Sequence, residues 1–180
     1  MRVITGSARG RRLITLEGED VRPTTDKVKE ALFSIIQFEL EGRKVLDLFA
    51  GSGQLGIEAL SRGAKSAVFV DLSKKSVEVI KQNLENTGFS KNAIVLNTDS
   101  LAFAASRAEK YDIAFLDPPY RTGLLQKALP LTASIMNEGG IIICEAPFEE
   151  ELPENVGDFA MTKEYKYGKI KLVTYRFEGK

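Results

Sequence analysis

An acid, two prolines and a tyrosine directly follow an apolar run in DIAFLDPPY, residues 112–120. Proline lacks the N–H that a strand ladder needs, so the strand should end here with its next side chains held rigidly. A carboxylate and a carbonyl at such a tip can accept hydrogen bonds from an amine whose lone pair is delocalised into a ring, and an aromatic side chain can stack on that ring. The predicted catalytic residues are therefore Asp117, Pro118, Pro119 and Tyr120.

A glycine-rich turn lies between an apolar run and a helical pattern in VLDLFAGSGQLGIEAL, residues 45–60. Gly51, Gly53 and Gly56 match G-x-G-x-x-G, which lets a ligand approach the backbone beside a helix N-terminus. Asp71 follows Gly53 by 18 residues, at the end of the next apolar run, where it can accept hydrogen bonds from ribose hydroxyls. Both features would also fit NAD.

The elements that must position these residues alternate along the chain from about residue 44. Five short apolar runs, rich in Val, Ile, Leu and Phe, are typical of parallel strands buried on both faces; they cover residues 44–50, 66–72, 92–98, 111–117 and 140–146. Helical patterns separate them, so we predict an α/β fold with a doubly wound, mostly parallel sheet. The helix predicted between the second and third apolar runs should be capped by Ser73, bury Val77, Ile80 and Leu84, and end at Gly88. The alternating C-terminal tail predicts an antiparallel hairpin across Tyr167 and Gly168 that closes one sheet edge.

The N-terminal region has a different pattern. We predict an appendage over residues 1–43 and a sheet domain over residues 44–180. RVIT and RRLIT flank a Gly-Ser-Ala-Arg-Gly turn and predict a small hairpin. RPTTDKVKEALFSIIQFEL predicts an amphipathic helix capped by Thr24 or Thr25, with Asp26 in its first turn and an inward face of Val28, Ala31, Leu32 and Ile35.

Composition limits the kinds of protein this can be. The chain has 180 residues, 43% of them hydrophobic and 28% charged, which suits one globular domain, and its start lacks a signal-peptide pattern. No apolar run reaches the roughly 20 residues that a membrane span needs. The absence of histidine excludes histidine-based catalysis, and we predict no metal site. Cys144 is the one cysteine and lies in an apolar run, which indicates an inert buried thiol. We expect a cytoplasmic protein without a membrane partner.

Positive charge is concentrated at the N-terminus although the net charge is zero. The first twelve residues carry Arg2, Arg9, Arg11 and Arg12 and no acid. This cluster is either a solvated face of the predicted hairpin or a local patch for nucleic-acid phosphates. The pattern alone leaves both interpretations open.

Two further acids complete a pattern that resembles a known pocket. Asp47 lies inside the first strand, four residues before Gly51, and Asp99 follows the third strand in LNTDSLAF. The series Asp47, Gly51-Ser52-Gly53, Asp71 and Asp99 resembles the S-adenosylmethionine pocket of Rossmann-like class I methyltransferases. The resemblance implies that the methionine part lies near Asp47 and the loop, the ribose at Asp71 and the adenine at Asp99. The implied cofactor-binding residues are Asp47, Ala50, Gly51, Ser52, Gly53, Asp71, Leu72, Asp99, Ser100 and Leu101.

The DPPY segment is similar to the (D/N/S)-P-P-(Y/F/W) motif of methyltransferases that act on planar amines. Adenine N6, guanine N2 and the glutamine side-chain nitrogen are all substrates of such enzymes. The glutamine-modifying enzymes generally have Asn first, so Asp117 favours a nucleobase.

Five segments together resemble the RsmD family, in the same order and over nearly the whole chain. They are MRVITGSARGRRL, VRPTTDKVKEALFSII, VLDLFAGSGQLGIEALSRGA, FLDPPY and YGKIKL. That family methylates guanine N2 in 16S ribosomal RNA. The resemblance implies S-adenosylmethionine as cofactor and, as partner, the small ribosomal subunit or its assembly intermediate. Its implied RNA-binding residues are Arg2, Arg9, Arg11, Arg12, Arg22 and Thr24, and we expect a monomer. Two positions depart from the family pattern: Gln54 stands where a small residue is commoner, and Lys169-Ile170 where an acid and Thr are frequent.

Other functions stay open at this level. A DNA adenine or protein glutamine methyltransferase is the second hypothesis. An NAD-binding oxidoreductase, or a catalytically silent binding module on the same fold, is the third.

Overall fold

The computed structural model describes residues 1–16, 25–106 and 109–179. Within these ranges eight strands form one sheet in the order β3-β2-β1-β4-β5-β8-β7-β6. The strands are β1 (Lys44–Asp47), β2 (Ser66–Asp71), β3 (Ala93–Asn97), β4 (Tyr111–Leu116), β5 (Met136–Pro147), β6 (Asn155–Val156), β7 (Phe159–Tyr167) and β8 (Ile170–Phe177). The helices are α1 (Asp26–Ile35), α2 (Gln54–Ser61), α3 (Lys74–Thr87), α4 (Ser100–Ala105) and α5 (Leu124–Ala133).

The sheet has a parallel part and an antiparallel part. β3, β2, β1, β4 and β5 pair in parallel, and β8 runs antiparallel to both β5 and β7. The predicted α/β fold with a C-terminal antiparallel hairpin is therefore confirmed. β5 begins four residues earlier than the predicted run at residue 140, and the short β6 was not predicted.

Helices cover both faces of the sheet, as the nearly continuous apolar strands require. One buried cluster joins α1, α2 and α3 to the sheet, and a second joins α4 and α5 to its other face. α3 follows the prediction: the Ser73 side chain accepts a hydrogen bond from the Ser76 N–H, and Gly88 ends the helix with φ of 82°. Val77, Ile80 and Leu84 are buried.

The N-terminal segment is not a regular hairpin. Arg2 and Arg12 form an isolated antiparallel bridge, flanked by hydrogen bonds from the Val3 N–H to the Arg11 carbonyl at 2.9 Å and from the Leu13 N–H to the Met1 carbonyl at 3.0 Å, but the pairing does not continue to Ile4 and Thr5. The reason is a competing acceptor, because the backbone N–H groups of Ile4 and Thr5 donate to the Glu58 carboxylate at 2.8 and 3.0 Å. The predicted hairpin is therefore present only as a short pairing near its turn, and the segment is attached to α2 through Ile4 and Thr5.

α1 starts as predicted but presents a different face. Thr25 caps it by accepting a hydrogen bond from the Val28 N–H at 3.3 Å. Val28 and Leu32 are buried as predicted, whereas Ala31 and Ile35 are only half-buried and Lys29 and Phe33 are buried instead. The inward face is rotated because the Lys29 ammonium lies 3.2 Å from the Glu58 carboxylate. The alternative cap, Thr24, lies outside the described residues.

Val3, Leu13, Leu32 and Phe33 belong to the same buried cluster as Val45 of the sheet. The division of the chain at residue 43 stays a prediction.

None of the described helices is long and apolar enough to cross a membrane.

Candidate functional site

A cavity of about 970 Å³ opens at the carboxyl edge of the parallel strands. The turns after β1, β2, β3 and β4 contribute to its wall, as expected for an open α/β sheet. It brings together every predicted catalytic residue and all the predicted cofactor-binding residues except Gly53. These lining residues are Asp47, Ala50, Gly51, Ser52, Asp71, Leu72, Asp99, Ser100, Leu101, Asp117, Pro118, Pro119 and Tyr120.

The glycine turn needs glycine for two reasons. Gly51 and Gly53 have φ of 58° and 84°, a left-handed conformation that other residues adopt only with strain. Gly53 caps α2, so its role is conformational. At Gly56 a Cβ would lie 2.3 Å from the Phe69 ring, so this glycine allows α2 to pack closely on β2.

Asp71 fixes the turn to the neighbouring strand. One of its carboxylate oxygens accepts the Gly51 N–H at 2.8 Å, and the other accepts the Ser73 N–H at 2.9 Å. A carboxylate has about four acceptor positions, so it can bind further donors while these contacts persist. The next residue, Leu72, is 69% exposed at the mouth of the cavity.

Asp47 lies deeper than the sequence indicates. It is the last residue of β1, is 2% exposed, and accepts the Gly56 N–H at 3.0 Å. Loss of hydration on burial raises the pKa of Asp47 to about 7, and the negative charge of Asp71 acts in the same direction. Near neutral pH this carboxyl group is therefore partly protonated.

Asp99 and Ser100 fix the turn after β3. Asp99 caps α4 by accepting the Ala102 N–H at 2.8 Å, and its side chain is exposed. The buried Ser100 hydroxyl donates to the Leu48 carbonyl at 2.6 Å. Leu101 is half-buried beside them.

The DPPY segment follows the end of β4 at Leu116. Asp117 is half-buried, Pro118 is buried and Pro119 is exposed. The half-buried Tyr120 donates its hydroxyl hydrogen to Glu145 with an O···O distance of 3.4 Å. The segment therefore presents a carboxylate and an oriented aromatic ring to the cavity.

Glu145 was not predicted from the sequence. It lies in β5, is 3% exposed, and lines a second cavity of about 530 Å³ with residues of α1 and of the β7–β8 turn. The same signal that identified Asp117, an acid at the end of a buried parallel strand, is present in GIIICEAP and could have identified it.

The N-terminal segment also lines the main cavity, through Met1, Thr15 and Leu16. Asn83 of α3 holds this segment in place. Its fully buried amide accepts the Ile14 N–H at 2.7 Å and donates to the carbonyls of Ile14 and Ser52 at 3.0 and 2.9 Å. No local pattern reveals these contacts, because they join residues far apart in the chain.

The basic cluster lies apart from the cavity. Arg2, Arg9, Arg11 and Arg12 are all exposed, and none of them lines either cavity. Arg22 and Thr24 lie outside the described residues. Cys144 is fully buried, and burial raises the pKa of its thiol. The described ranges contain no group of three or more His, Cys, Asp or Glu residues that could hold a metal ion.

Known proteins resemble this chain over almost its whole length. The model of the family described as "Conserved hypothetical protein 95" matches residues 1–176. The chain is 44% identical to "Putative rRNA methyltransferase YlbH" of Bacillus subtilis, covering 99% of this chain and 100% of that protein. It is 33% identical to "Ribosomal RNA small subunit methyltransferase D" of Escherichia coli K12, with 99% and 91% covered. The solved structure of "Putative methyltransferase yhhF" from Escherichia coli superimposes with a TM-score of 0.89 at 34% identity, covering 100% of this chain and 99% of that one.

Proposed function

The chain belongs to the RsmD family of ribosomal RNA small subunit methyltransferases, and from this premise we propose that it transfers a methyl group from S-adenosylmethionine to guanine N2 in 16S ribosomal RNA. One observation carries the proposal. Acids from four neighbouring strand ends line a single cavity that finishes at the rigid DPPY segment.

The lining fits the proposed cofactor. In sheet order, Asp99 follows β3, Asp71 ends β2, Asp47 ends β1 and Asp117 follows β4. In this order the four acids would lie beside the adenine, the ribose and the amino-acid part of S-adenosylmethionine and at the reaction centre. A cavity of about 970 Å³ is large enough for such a molecule. Its described lining contains no Lys or Arg, which suits a cofactor without phosphate better than NAD.

Individual side chains have separate binding roles in this proposal. Asp71 would accept hydrogen bonds from the ribose hydroxyls while it keeps the glycine turn in place. Leu72 and Leu101 would cover the faces of the adenine, and Asp99 would accept from the adenine amino group. Asp47 and the Gly51–Gly53 turn would surround the methionine part.

S-adenosylmethionine, when bound, supplies an electrophilic methyl group. The Asp117 carboxylate would accept a hydrogen bond from the N–H of the guanine amine, as would the Pro118 carbonyl. These acceptors favour a pyramidal nitrogen whose lone pair is directed at the methyl group. Because the two prolines fix the acceptors in advance, little reorganisation is needed at reaction. Tyr120, oriented by Glu145, would stack on the guanine.

A test of the reaction uses small ribosomal subunits that lack the modification. Methyl groups labelled in S-adenosylmethionine should enter the RNA, and digestion with mass spectrometry should show N2-methylguanosine. N6-methyladenine in DNA or methylglutamine in protein, with the subunits inert, would contradict the proposed substrate.

Asp117→Ala should lower the single-turnover rate by at least about 100-fold, because the amine loses its carboxylate acceptor. Affinity for S-adenosylhomocysteine, measured by calorimetry, should change less than about twofold. Asp117→Asn should retain part of the rate because its amide oxygen still accepts. A wild-type rate in Asp117→Ala would remove Asp117 from the mechanism.

We propose that the protein binds RNA as a monomer. The residues that would contact RNA phosphates are the exposed cluster Arg2, Arg9, Arg11 and Arg12. Each phosphate contact releases counterions, so replacing Arg11 and Arg12 together with Ala should reduce the slope of log K against log salt by roughly 1.5. The matched control replaces exposed Lys110 and Lys127 with Ala, which removes the same charge elsewhere and should leave the slope unchanged. Equal slopes in the two double variants would show that the cluster does not contact phosphates.

A further inference from the structure

Gln54 contains a buried acceptor without a partner. It is the first residue of α2 and is 8% exposed, and its Oε1 atom is buried with no hydrogen-bond partner among the described residues. Leaving such an atom unsatisfied is unfavourable, and native proteins rarely retain one without a reason. Gln54 lines the main cavity, and a rotation of its amide towards the cavity would bring Oε1 within reach of a donor on a bound ligand.

One other described side chain has a comparable atom. The Thr132 hydroxyl of α5 is buried without a partner, but Thr132 lines neither cavity. Gln54 therefore differs from Thr132 in its access to the cavity. This difference also makes Thr132 a control for the effect of removing a buried polar group.

The position of Gln54 identifies the part of the ligand that it faces. It follows β1, which lies in the sheet between β2, with the proposed ribose acceptor Asp71, and β4, with the proposed reaction centre at Asp117. A cofactor that extends from β3 to β4 has its amino-acid part over β1. That part carries an ammonium group, whose N–H donors match an amide oxygen.

We propose that Gln54 Oε1 accepts a hydrogen bond from the α-ammonium group of S-adenosylmethionine. This inference rests on the proposed cofactor. It assigns a binding role to a side chain where the family pattern has a small residue.

Asp47 does not make this acceptor redundant. Its buried carboxyl group already uses one acceptor position on the Gly56 N–H at 3.0 Å, and an ammonium group has three hydrogens to place. The amide oxygen of Gln54 accepts at every pH. Two acceptors of different kinds can therefore share the three ammonium hydrogens.

The experiment compares two ligands that differ in the amino-acid part. S-adenosylhomocysteine carries the ammonium group, and 5′-methylthioadenosine lacks the whole amino-acid portion. Gln54→Met keeps the length of the side chain and removes its acceptor. By calorimetry, Gln54→Met should weaken S-adenosylhomocysteine binding about 10- to 100-fold, as for a lost hydrogen bond to a charged group. Binding of 5′-methylthioadenosine should change less than about twofold.

Two further variants complete the design. Gln54→Glu restores an acceptor and should bind S-adenosylhomocysteine within about threefold of wild type, and this rescue also serves if Gln54→Met does not fold. Thr132→Val, the control, should leave both affinities unchanged.

Equal affinities of wild type and Gln54→Met for S-adenosylhomocysteine would overturn the inference, as would equal losses for both ligands. Failure of Gln54→Glu to restore binding would also overturn it. If the wild-type protein bound neither ligand, the proposed cofactor itself would be wrong, and this inference would fall with it.

Discussion

Glu58 joins the N-terminal segment to the rest of the protein, and its replacement gives a quantitative test of the structure. The carboxylate is fully buried and accepts the N–H groups of Ile4 and Thr5 at 2.8 and 3.0 Å and Nε of Arg62 at 3.0 Å. The Lys29 ammonium lies 3.2 Å away. Burial alone raises the pKa of Glu58, but the hydrogen bond from Ile4, the Lys29 charge and the remaining donors together hold it below its usual value.

The two members of this ion pair should contribute unequally. Glu58→Ala removes the ion-pair partner of the buried Lys29 ammonium, which costs roughly 3–5 kcal/mol, and the N–H groups of Ile4 and Thr5 lose their acceptor. We therefore expect a loss of about 4–6 kcal/mol, a large part of the about 5–15 kcal/mol typical of a domain. Lys29→Met should cost less than about 2 kcal/mol, because Glu58 keeps three donors and burial already lowers the pKa of Lys29.

Urea unfolding at pH 7 measures both losses, and an unchanged m-value shows that the midpoint shift reports stability. Glu58→Ala should also weaken S-adenosylhomocysteine binding, because the released segment carries Met1, which lines the main cavity. An unfolding cost for Lys29→Met as large as that for Glu58→Ala would refute the reasoning. So would a cost below about 1.5 kcal/mol for Glu58→Ala, half the lower bound for breaking a buried pair.

Two further predictions concern pH and backbone strain. Because the pKa of Asp47 is raised to about 7, its contribution to stability is fully present below the unfolded pKa and lost as pH rises towards 7. The unfolding free energy of Asp47→Asn, measured in urea relative to wild type, should therefore rise by roughly 2–3 kcal/mol from pH 5 to pH 8. A difference between the two proteins that stays constant with pH would contradict this. Gly6→Ala should destabilise the protein more than Gly10→Ala. Both glycines have positive φ, but only at Gly6 would a Cβ collide, at 1.9 Å from the Ser61 carbonyl oxygen. Equal melting temperatures of the two variants would contradict the packing of this turn on α2.

The parallel sheet could be predicted because its signals are local. Strands buried on both faces are continuous apolar runs, and Ser73 and Gly88 act on the residues beside them. The carboxyl ends of parallel strands meet at one edge, so acids at those ends could be assigned to one site before any contact was known. The same reasoning applied to Glu145 would have added it.

The contacts of the N-terminal segment could not be predicted in this way. A pattern assigns Lys29 to a solvent-facing position, because lysine is rarely buried without a partner. Its partner Glu58 belongs to another helix, and Glu58 in turn replaces the strand pairing expected for Ile4. Asn83 likewise binds Ile14 across 69 residues of sequence. Local periodicity carries no information on such pairs.

The acids of the cavity have structural contacts as well as proposed ligand contacts. Asp71 accepts the Gly51 N–H, and Asp47 accepts the Gly56 N–H. Both acids therefore stabilise the glycine motif beside the ligand that they would bind. An alanine at either position would therefore disturb the turn and remove a ligand acceptor together, and a loss of affinity would not separate the two effects. The Gln54 Oε1 atom makes no such hydrogen bond to the described residues. Replacing this oxygen removes no hydrogen bond from the turn, so ligand affinities of such variants report on the binding contact itself.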